Sequence, residues 1–430
     1  MERFEVRKEF FGSIVYDFET KKFIAFDQDS TNFLTTQAKT EFDKIPEDSL
    51  KKLEKHGYIK DGKLNFKVID NKPLQNVLSA PLRLHLAYTS RCNLSCAHCF
   101  ARDYNNKTGK PMLSFEQKVD ILDQMLELGI HEILIGGGEP FSEPDFIDFL
   151  KECEKRNINT KVFTNGHLIT DEIIEKLSKI KLGYISVSVD GACEETYGKI
   201  RGIPKLTDVV KTIRKLTEQC PFPIVMQTTA TKANFEEIED LLKLAKDTNV
   251  KRLKIRPIKP GGSVLQHQNI VLEPEEFLNF IRSMEKIWQQ KYKGDFELDY
   301  SWGNARLYFD CEQSTIEIEG LPQPHIGYGC LAGKISIFID PCGNAFPCVF
   351  LVSYIGADSY ENINHHSIQE IWENGKTFHK LRNLKGNDKC LNCKSYSICR
   401  GGCIARILYD RQPINGVDPW CLEKFFPAKV

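Results

Sequence analysis

The strongest chemical signal in this chain is the run TSRCNLSCAHCF, in which Cys92, Cys96 and Cys99 are spaced CxxxCxxC. Three thiolates at this spacing hold three irons of a [4Fe–4S] cluster and leave the fourth iron without a protein ligand. An open iron binds an external chelator, and the amino and carboxylate groups of a methionine are suited to that. A structural zinc ion would demand four protein ligands, and His98, adjacent to Cys99, is sterically poor as the fourth. Downstream, EILIGGGEP brings Gly136, Gly137 and Gly138, whose backbone a ligand can approach closely, and Glu139, which accepts hydrogen bonds from an ammonium group. ISVSVDG adds Ser188 and Asp190, two groups that hydrogen-bond sugar hydroxyls, and YGKIRG adds the cation Arg201.

A second set of cysteines fills the C-terminal part. Cys330 precedes IFIDPCGNAFPC, which ends at Cys348; Cys390-xx-Cys393-x₅-Cys399-xxx-Cys403 follows, and then Cys421. The chain has 15 Cys, and its start, MERFEVRKEFFGSIVYDFE, has no uninterrupted apolar core of the kind a signal peptide needs. The expected location is therefore cytoplasmic, where dense Cys at short spacing bind metal rather than pair as disulfides. Cys153, Cys193 and Cys220 stand apart and read as small buried apolar residues.

These motifs resemble the radical S-adenosylmethionine (SAM) superfamily, with His98 in the aromatic slot of its CxxxCx-aromatic-C motif. The resemblance implies that the reduced cluster on Cys92, Cys96 and Cys99 cleaves SAM to methionine and a 5′-deoxyadenosyl radical, which abstracts hydrogen from a substrate. It implies that Gly137, Gly138 and Glu139 hold the SAM amino group, that Ser188 and Asp190 hold the ribose, and that Arg201 contacts the SAM carboxylate. It places His98 among the cofactor-binding residues and packs adenine near Ile255 and Gly261. The C-terminal pattern resembles the SPASM extension, which binds two auxiliary [4Fe–4S] clusters and brings the expected total to three. By that likeness Cys390, Cys393, Cys399 and Cys421 bind the outer cluster, and Cys330, Cys348 and Cys403 the inner one. Its remaining ligand is Cys311 or Cys342, with Cys311 preferred, or the position stays open to a substrate thiolate.

Elements must position these residues. LRLHLAYT, EILIGGG, KVFTNG, YISVSVDG, IVMQTTA and RLKIRPI read as strands alternating with amphipathic helices such as SFEQKVDILDQMLELG. The expectation is an α/β fold: a partial (β/α)6 TIM-like barrel over residues 79–300, with its active site at the C-terminal strand ends. Residues 301–430 form the Cys-rich SPASM domain, which metal helps to fold. Residues 1–78 open with a hairpin, FGSIVYDF and KFIAFD, followed by two helical stretches and a short strand, a winged-helix-like module. DNKPLQNVLSAP reads as a linker.

Lys plus Arg number 58 against 59 Asp plus Glu, and in the N-terminal module the two signs also balance, so nothing favours phosphate contacts or nucleic acid. No apolar run is long enough to span a membrane. The module resembles recognition elements fused to enzymes that modify ribosomally made peptides, which capture a leader peptide as an added strand; its edge would be Gly12–Phe18 or Lys22–Phe26. The reading is a peptide maturase that takes a precursor peptide and an electron donor such as flavodoxin or ferredoxin, with a thioether cross-link as first choice of product. Carbon–carbon cross-linking, backbone excision and epimerisation stay open. Formylglycine formation is disfavoured because Val349 stands where that branch has an Asp base.

Overall fold

The computed structural model describes residues 2–37, 47–102, 111–259, 261–300, 318–319, 330–356, 359–421 and 423. The six expected barrel strands are β7 (Arg83–Thr89), β8 (Glu132–Gly137), β9 (Asn159–Thr164), β10 (Tyr184–Ser188), β11 (Ile224–Ala230) and β12 (Arg252–Pro257). They pair in parallel in sequence order. The intervening helices, from Phe115–Glu127 to Ile238–Asp247, make each crossover long enough for parallel pairing. The helix Phe115–Glu127 starts at a capping box between Ser114 and Gln117, and buries Ile121, Leu122 and Met125 against the sheet.

Strand alternation separates two environments. Ile185 and Val187 of β10, and Leu253 and Ile255 of β12, are fully buried in the main apolar core. The neighbours on the opposite face are polar: Lys254 Nζ donates to the Tyr184 hydroxyl at 2.8 Å, and Arg83 pairs with Glu132 at 2.9 Å. A lumen lined this way is built to meet water or a polar ligand.

The sheet extends beyond the six strands. β13 (Glu297–Tyr300) joins β12 in parallel at one edge, and β15 (Ser336–Ile339) joins β7 in parallel on the other side. β16 (Asn344–Phe346) and β17 (Glu361–Asn362) continue it antiparallel. The ten-stranded order runs from β13 to β17 without closing, so the barrel is partial. Because β15 lies beside β7, the C-terminal cysteine region grows out of the same sheet that carries Cys92, Cys96 and Cys99.

The N-terminal module is a sheet whose strands lie in the order Ile318–Glu319, Lys22–Asp27, Gly12–Asp17, Phe4–Glu9, Phe66–Val68. β1 (Phe4–Glu9), which the sequence reading missed, pairs antiparallel with β2 (Gly12–Asp17), and β2 with β3 (Lys22–Asp27). β6 (Phe66–Val68) adds in parallel to β1, β14 (Ile318–Glu319) in parallel to β3, and β4 (Ile59–Lys60) with β5 (Lys63–Leu64) forms a separate small hairpin. This order corrects the expected edge: β2 is interior, and β3 carries Ile318–Glu319 along Phe23 and Ile24, so neither Gly12–Phe18 nor the Phe23–Ile24 part of Lys22–Phe26 offers a free edge.

The segment read as a linker is also not a free tether. Leu78, Ser79, Ala80 and Leu82 are buried, and Arg7 reaches across to donate to the carbonyls of Ala80, Pro81 and Leu128. Glu9 pairs with Arg7 at 2.7 Å and accepts from the Ser79 N–H at 2.7 Å. His131, at the start of β8, contacts Glu5 and lies 4.7 Å from the Tyr16 ring centroid. Module and barrel are thus joined through a buried, hydrogen-bonded seam.

Candidate active site

Cys92, Cys96 and Cys99 lie on the loop after β7, at the C-terminal ends of the parallel strands. The loop has little internal regular structure and is held by backbone contacts to its neighbours. Gly138 N–H donates to Thr89 O at 2.8 Å, Glu139 N–H to Arg91 O at 2.7 Å, Ala97 N–H to Ile200 O at 2.9 Å and Ser263 N–H to Cys99 O at 2.8 Å.

The glycines in this ring of contacts have a packing explanation. A Cβ on Gly138 would lie 1.9 Å from Arg91 O, and one on Gly262 would lie 2.2 Å from Cys99 O. Gly137 combines φ +127° with a Cβ position 2.6 Å from Thr89 O. The backbone that these glycines allow to approach belongs to the cysteine loop itself.

Glu139 is 1% exposed and accepts from the Thr164 hydroxyl at 2.7 Å, the Asn165 N–H at 2.7 Å and the Phe141 N–H at 3.3 Å. Burial pushes its carboxyl up to about 7 in spite of these donors. An ammonium group brought beside it would favour the charged form. Asn165 also donates to the Asn93 side chain at 2.8 Å, which ties this acidic site to the cysteine loop.

Asp190 has a different surrounding from the one expected. It is fully buried; Arg201 Nη2 lies 2.6 Å and His98 Nε2 3.2 Å from its Oδ2, and Thr229 N–H donates to Oδ1 at 2.6 Å. Burial pushes the Asp190 carboxyl up, but Arg201, His98 and the Thr229 bond outweigh it and hold it at about 2. Arg201 in turn points Nη1 at Cys96 Sγ, 3.7 Å away. A chain His98–Asp190–Arg201–Cys96 results, in which the carboxylate aims a guanidinium at a cysteine sulfur. Ser188 stands at the C-terminal end of β10, half-buried. Ile255 is buried in the main core with no surface for an adenine ring, which corrects that expectation, while Gly261 sits beside Ser353.

Arg201 Nε and His98 Nδ1 are among the buried atoms of this region without a hydrogen-bond partner in the described residues. An unpaired buried donor is costly, and a bound anionic group would satisfy Arg201 Nε. The three thiols also sense one another: burial, then the Cys96 and Cys92 charges, push Cys99 up to about 11. The region fits an iron–sulfur cluster with a zwitterionic ligand beside it.

The C-terminal cysteines gather in two sets. Cys390, Cys393, Cys399 and Cys421 line one cavity, together with Gly401, Gly402 and Trp420. Cys330, Cys348 and Cys403 share an apolar cluster with Ala332, Leu351, Leu381, Ile404 and Ala405. Cys342 lies in the turn between β15 and β16, outside that cluster, and Cys311 lies outside the described residues. Both sets suit [4Fe–4S] coordination by thiolates.

Asp418 braces these loops. It pairs with Arg406 at 2.6 Å and accepts from the Cys403 N–H at 2.7 Å and the Trp420 N–H at 3.0 Å. Sequence reading passed over Asp418, Arg406 and Lys259, a cation whose charge reaches Cys348; only the DPW run before Cys421 hinted at the first. Of the isolated cysteines, Cys153 is buried as expected, Cys220 is half-buried and Cys193 is exposed, capping the helix Glu194–Arg201 by accepting from the Thr196 N–H.

The cysteine loop also touches the C-terminal region directly. Ala87, Ala101, Phe338, Phe346 and Val352 form one apolar cluster with Cys99 and Val349 packed against it, and the Phe100 and Phe350 rings are 5.3 Å apart.

The radical SAM superfamily matches residues 86–245, and SPASM, an iron–sulfur cluster-binding domain, matches residues 330–394. The chain carries a radical SAM domain and a SPASM domain. The radical SAM–SPASM chain is 28% identical over 80% of its length to the AdoMet-dependent heme synthase of Methanosarcina barkeri, covering 97% of that protein. It is 26% identical over 80% of its length to the mycofactocin maturase MftC of Mycolicibacterium smegmatis, covering 84% of it. In fold it is similar to Streptococcus suis SuiB, solved bound to the precursor peptide SuiA, with a TM-score of 0.79 and 21% identity; the likeness covers 98% of this chain and 99% of SuiB. The partial-barrel α/β expectation stands on these findings, as does an enzyme of the radical SAM class. Among the described residues, no helix is long and apolar enough to cross a membrane.

Proposed function

We propose that this radical SAM–SPASM chain matures a ribosomally made peptide, with Cys92, Cys96 and Cys99 holding the cluster at which SAM binds. The observation that carries this reading is the extent of the likeness to SuiB. It takes in 98% of the chain, so the N-terminal sheet module is shared along with the barrel and the cysteine domain. The similarity to MftC, a maturase, points the same way. When bound, the cluster and SAM supply a 5′-deoxyadenosyl radical that removes a hydrogen atom from the substrate.

The chain's own residues have distinct tasks in this reading. Glu139 holds the SAM ammonium, Gly137 and Gly138 bring the backbone close, and Ser188 takes the ribose. Arg201, aimed by Asp190 and flanked by His98, faces the SAM carboxylate and the Cys96 sulfur. Cys390, Cys393, Cys399 and Cys421 hold an outer auxiliary cluster, and Cys330, Cys348 and Cys403 an inner one, which makes three clusters in all. The leader peptide adds as a further strand at an edge of the N-terminal sheet, outside Ile318–Glu319, which itself pairs with Phe23 and Ile24 of β3, and the core peptide enters the polar lumen.

Thioether formation remains the preferred product. The inner cysteine set has three members in one apolar cluster, with Cys342 placed elsewhere, so a substrate thiolate completes it unless Cys311 does. Such a cross-link removes two hydrogens: one leaves as an atom to the nucleoside, the other as a proton and an electron that an auxiliary cluster accepts. Val349 packs into an apolar cluster, so its position has no base for formylglycine chemistry.

The test is the mass of a precursor peptide encoded beside the gene, after anaerobic incubation with reconstituted enzyme, SAM and a reductant. Loss of two hydrogens mapped to a Cys and a partner residue is the expected result. A larger loss means excision, and an unchanged mass with SAM consumed removes that peptide as the substrate. SAM cleavage that persists in a C92A/C96A/C99A variant would sink the assignment of the catalytic cluster.

A further inference from the structure

Charge on this protein is close to balanced overall, at a net −1, yet it is uneven along the segment that carries Cys390, Cys393 and Cys399; Asp418 and Glu423 line the outer cysteine cavity on the Cys421 side. Residues 376–402 contain seven Lys or Arg and a single acid, Asp388. Lys376, Lys380, Lys385, Lys389, Lys394 and Arg400 are all exposed, and among the described residues none of the six forms an ion pair. Elsewhere exposed lysines are commonly matched, as Lys176 is with Glu172 and Lys199 with Glu195. Unpaired, exposed cations therefore recur along the segment that also carries Cys390, Cys393 and Cys399.

The stretch borders a cavity of about 230 Å³ whose lining includes Lys334, Arg382, Lys385 and Arg400 and no Asp or Glu. Arg382 Nη2 is buried there without a hydrogen-bond partner among the described residues. Tyr396, Gly401 and Gly402 line both this cavity and the one formed by Cys390, Cys393, Cys399 and Cys421, so the two are contiguous. Arg400 holds a left-handed backbone at φ 52°, where Gly or Asn would be less strained. A cation is kept there at a conformational cost.

We propose that this face docks an acidic one-electron carrier protein, a reduced flavin or iron–sulfur protein, which delivers its electron to the outer auxiliary cluster. The inference rests on the functional reading above, in which the outer cysteines hold that cluster. The step transfers one electron: the carrier is oxidised by one and the cluster reduced by one. Like-signed cations with no acidic partners steer an anionic surface toward them, and the contribution acts chiefly on association rate and falls with salt.

The experiment mixes holoenzyme with an acidic flavodoxin in its reduced state and follows cluster reduction by stopped flow. The variants are K385E/K394E and, should that variant fold poorly, R400N, which keeps a residue suited to the left-handed backbone. The expected result is a fall of about tenfold or more in the flavodoxin-driven rate at low salt, a steep salt dependence in the parent protein, and no slowing with reduced methyl viologen. An unchanged flavodoxin-driven rate overturns the proposal. So does equal slowing with both reductants, which marks a change in the cluster itself, or a loss confined to precursor-peptide affinity, which marks a peptide site. Failure of the underlying reading shows separately: iron content and outer-cluster signal would then be unaltered in C390A/C393A.

Discussion

Asp190 shows how much one buried carboxylate organises. It holds Arg201 and His98 at once, and through Arg201 it reaches the Cys96 sulfur. A folded-state value of about 2 against the ordinary 3.8 means the unfolded chain binds the proton more readily in that interval. The contact's contribution is therefore fully present above about pH 4 and is lost as pH falls toward 2, amounting to about 2 kcal/mol. Asp190→Asn should erase this part of the acid unfolding limb. It should also cost about 3–5 kcal/mol at neutral pH, since Arg201 is left buried without its counter-charge. Denaturant melts across pH check both; a variant that keeps the wild-type acid limb contradicts the assignment. Sequence reading had Asp190 as a ribose contact because a carboxylate at a strand end is free to hydrogen-bond until its neighbours are known.

At the scale of the element, the cysteine loop is shaped by the strands around it. Gly137 at the end of β8 and Gly138 after it are glycines because the carbonyls of Thr89 and Arg91 lie where side chains would be. Gly138→Ala should displace Arg91 and with it the geometry of Cys92, Cys96 and Cys99, while leaving Cys390, Cys393, Cys399 and Cys421 untouched. The expected outcome is loss of SAM-perturbed cluster signal by electron paramagnetic resonance, with the auxiliary signals retained. Normal SAM perturbation in that variant would show that the loop tolerates the shift. The six strands themselves were legible in advance, since β-branched runs between amphipathic helices carry their period in the sequence. β13 and β15 were not, because a strand of four residues is recognised only by the edge it joins.

Across the whole molecule, the sheet continuity from barrel to cysteine domain and the seam from module to barrel make a single packed body of the described parts. Arg7 and Glu9 lie at that seam with side chains 4% and 0% exposed. Arg7→Met leaves Glu9 buried without a cation and the carbonyls of Ala80, Pro81, Leu128 and Gly129 without their donor, at a cost of about 3–5 kcal/mol. The expected result is a lower denaturation midpoint together with faster proteolysis in the segment around Leu78, as the module loosens from the barrel. An unchanged midpoint would mean that water replaces the guanidinium at no cost. The Pro and Asn content of that segment reads as a linker, and composition says nothing about what packs over it.

The sequence alone determined the chemistry that is local: a CxxxCxxC spacing limits a cluster to three protein ligands, and alternating periods of two and 3.6 residues demand strands with helices outside. It also located the second set of cysteines, because thiolates at short spacing in a long chain have few other uses. Tertiary structure decided everything that depends on residues distant in the chain meeting. It brought Cys421 into one cavity with Cys390, set Asp190 against Arg201, placed β15 beside β7, and made β2 an interior strand. Such pairings follow from how whole faces bury their apolar surface and satisfy their polar groups, and that balance is struck only when all the elements are in place.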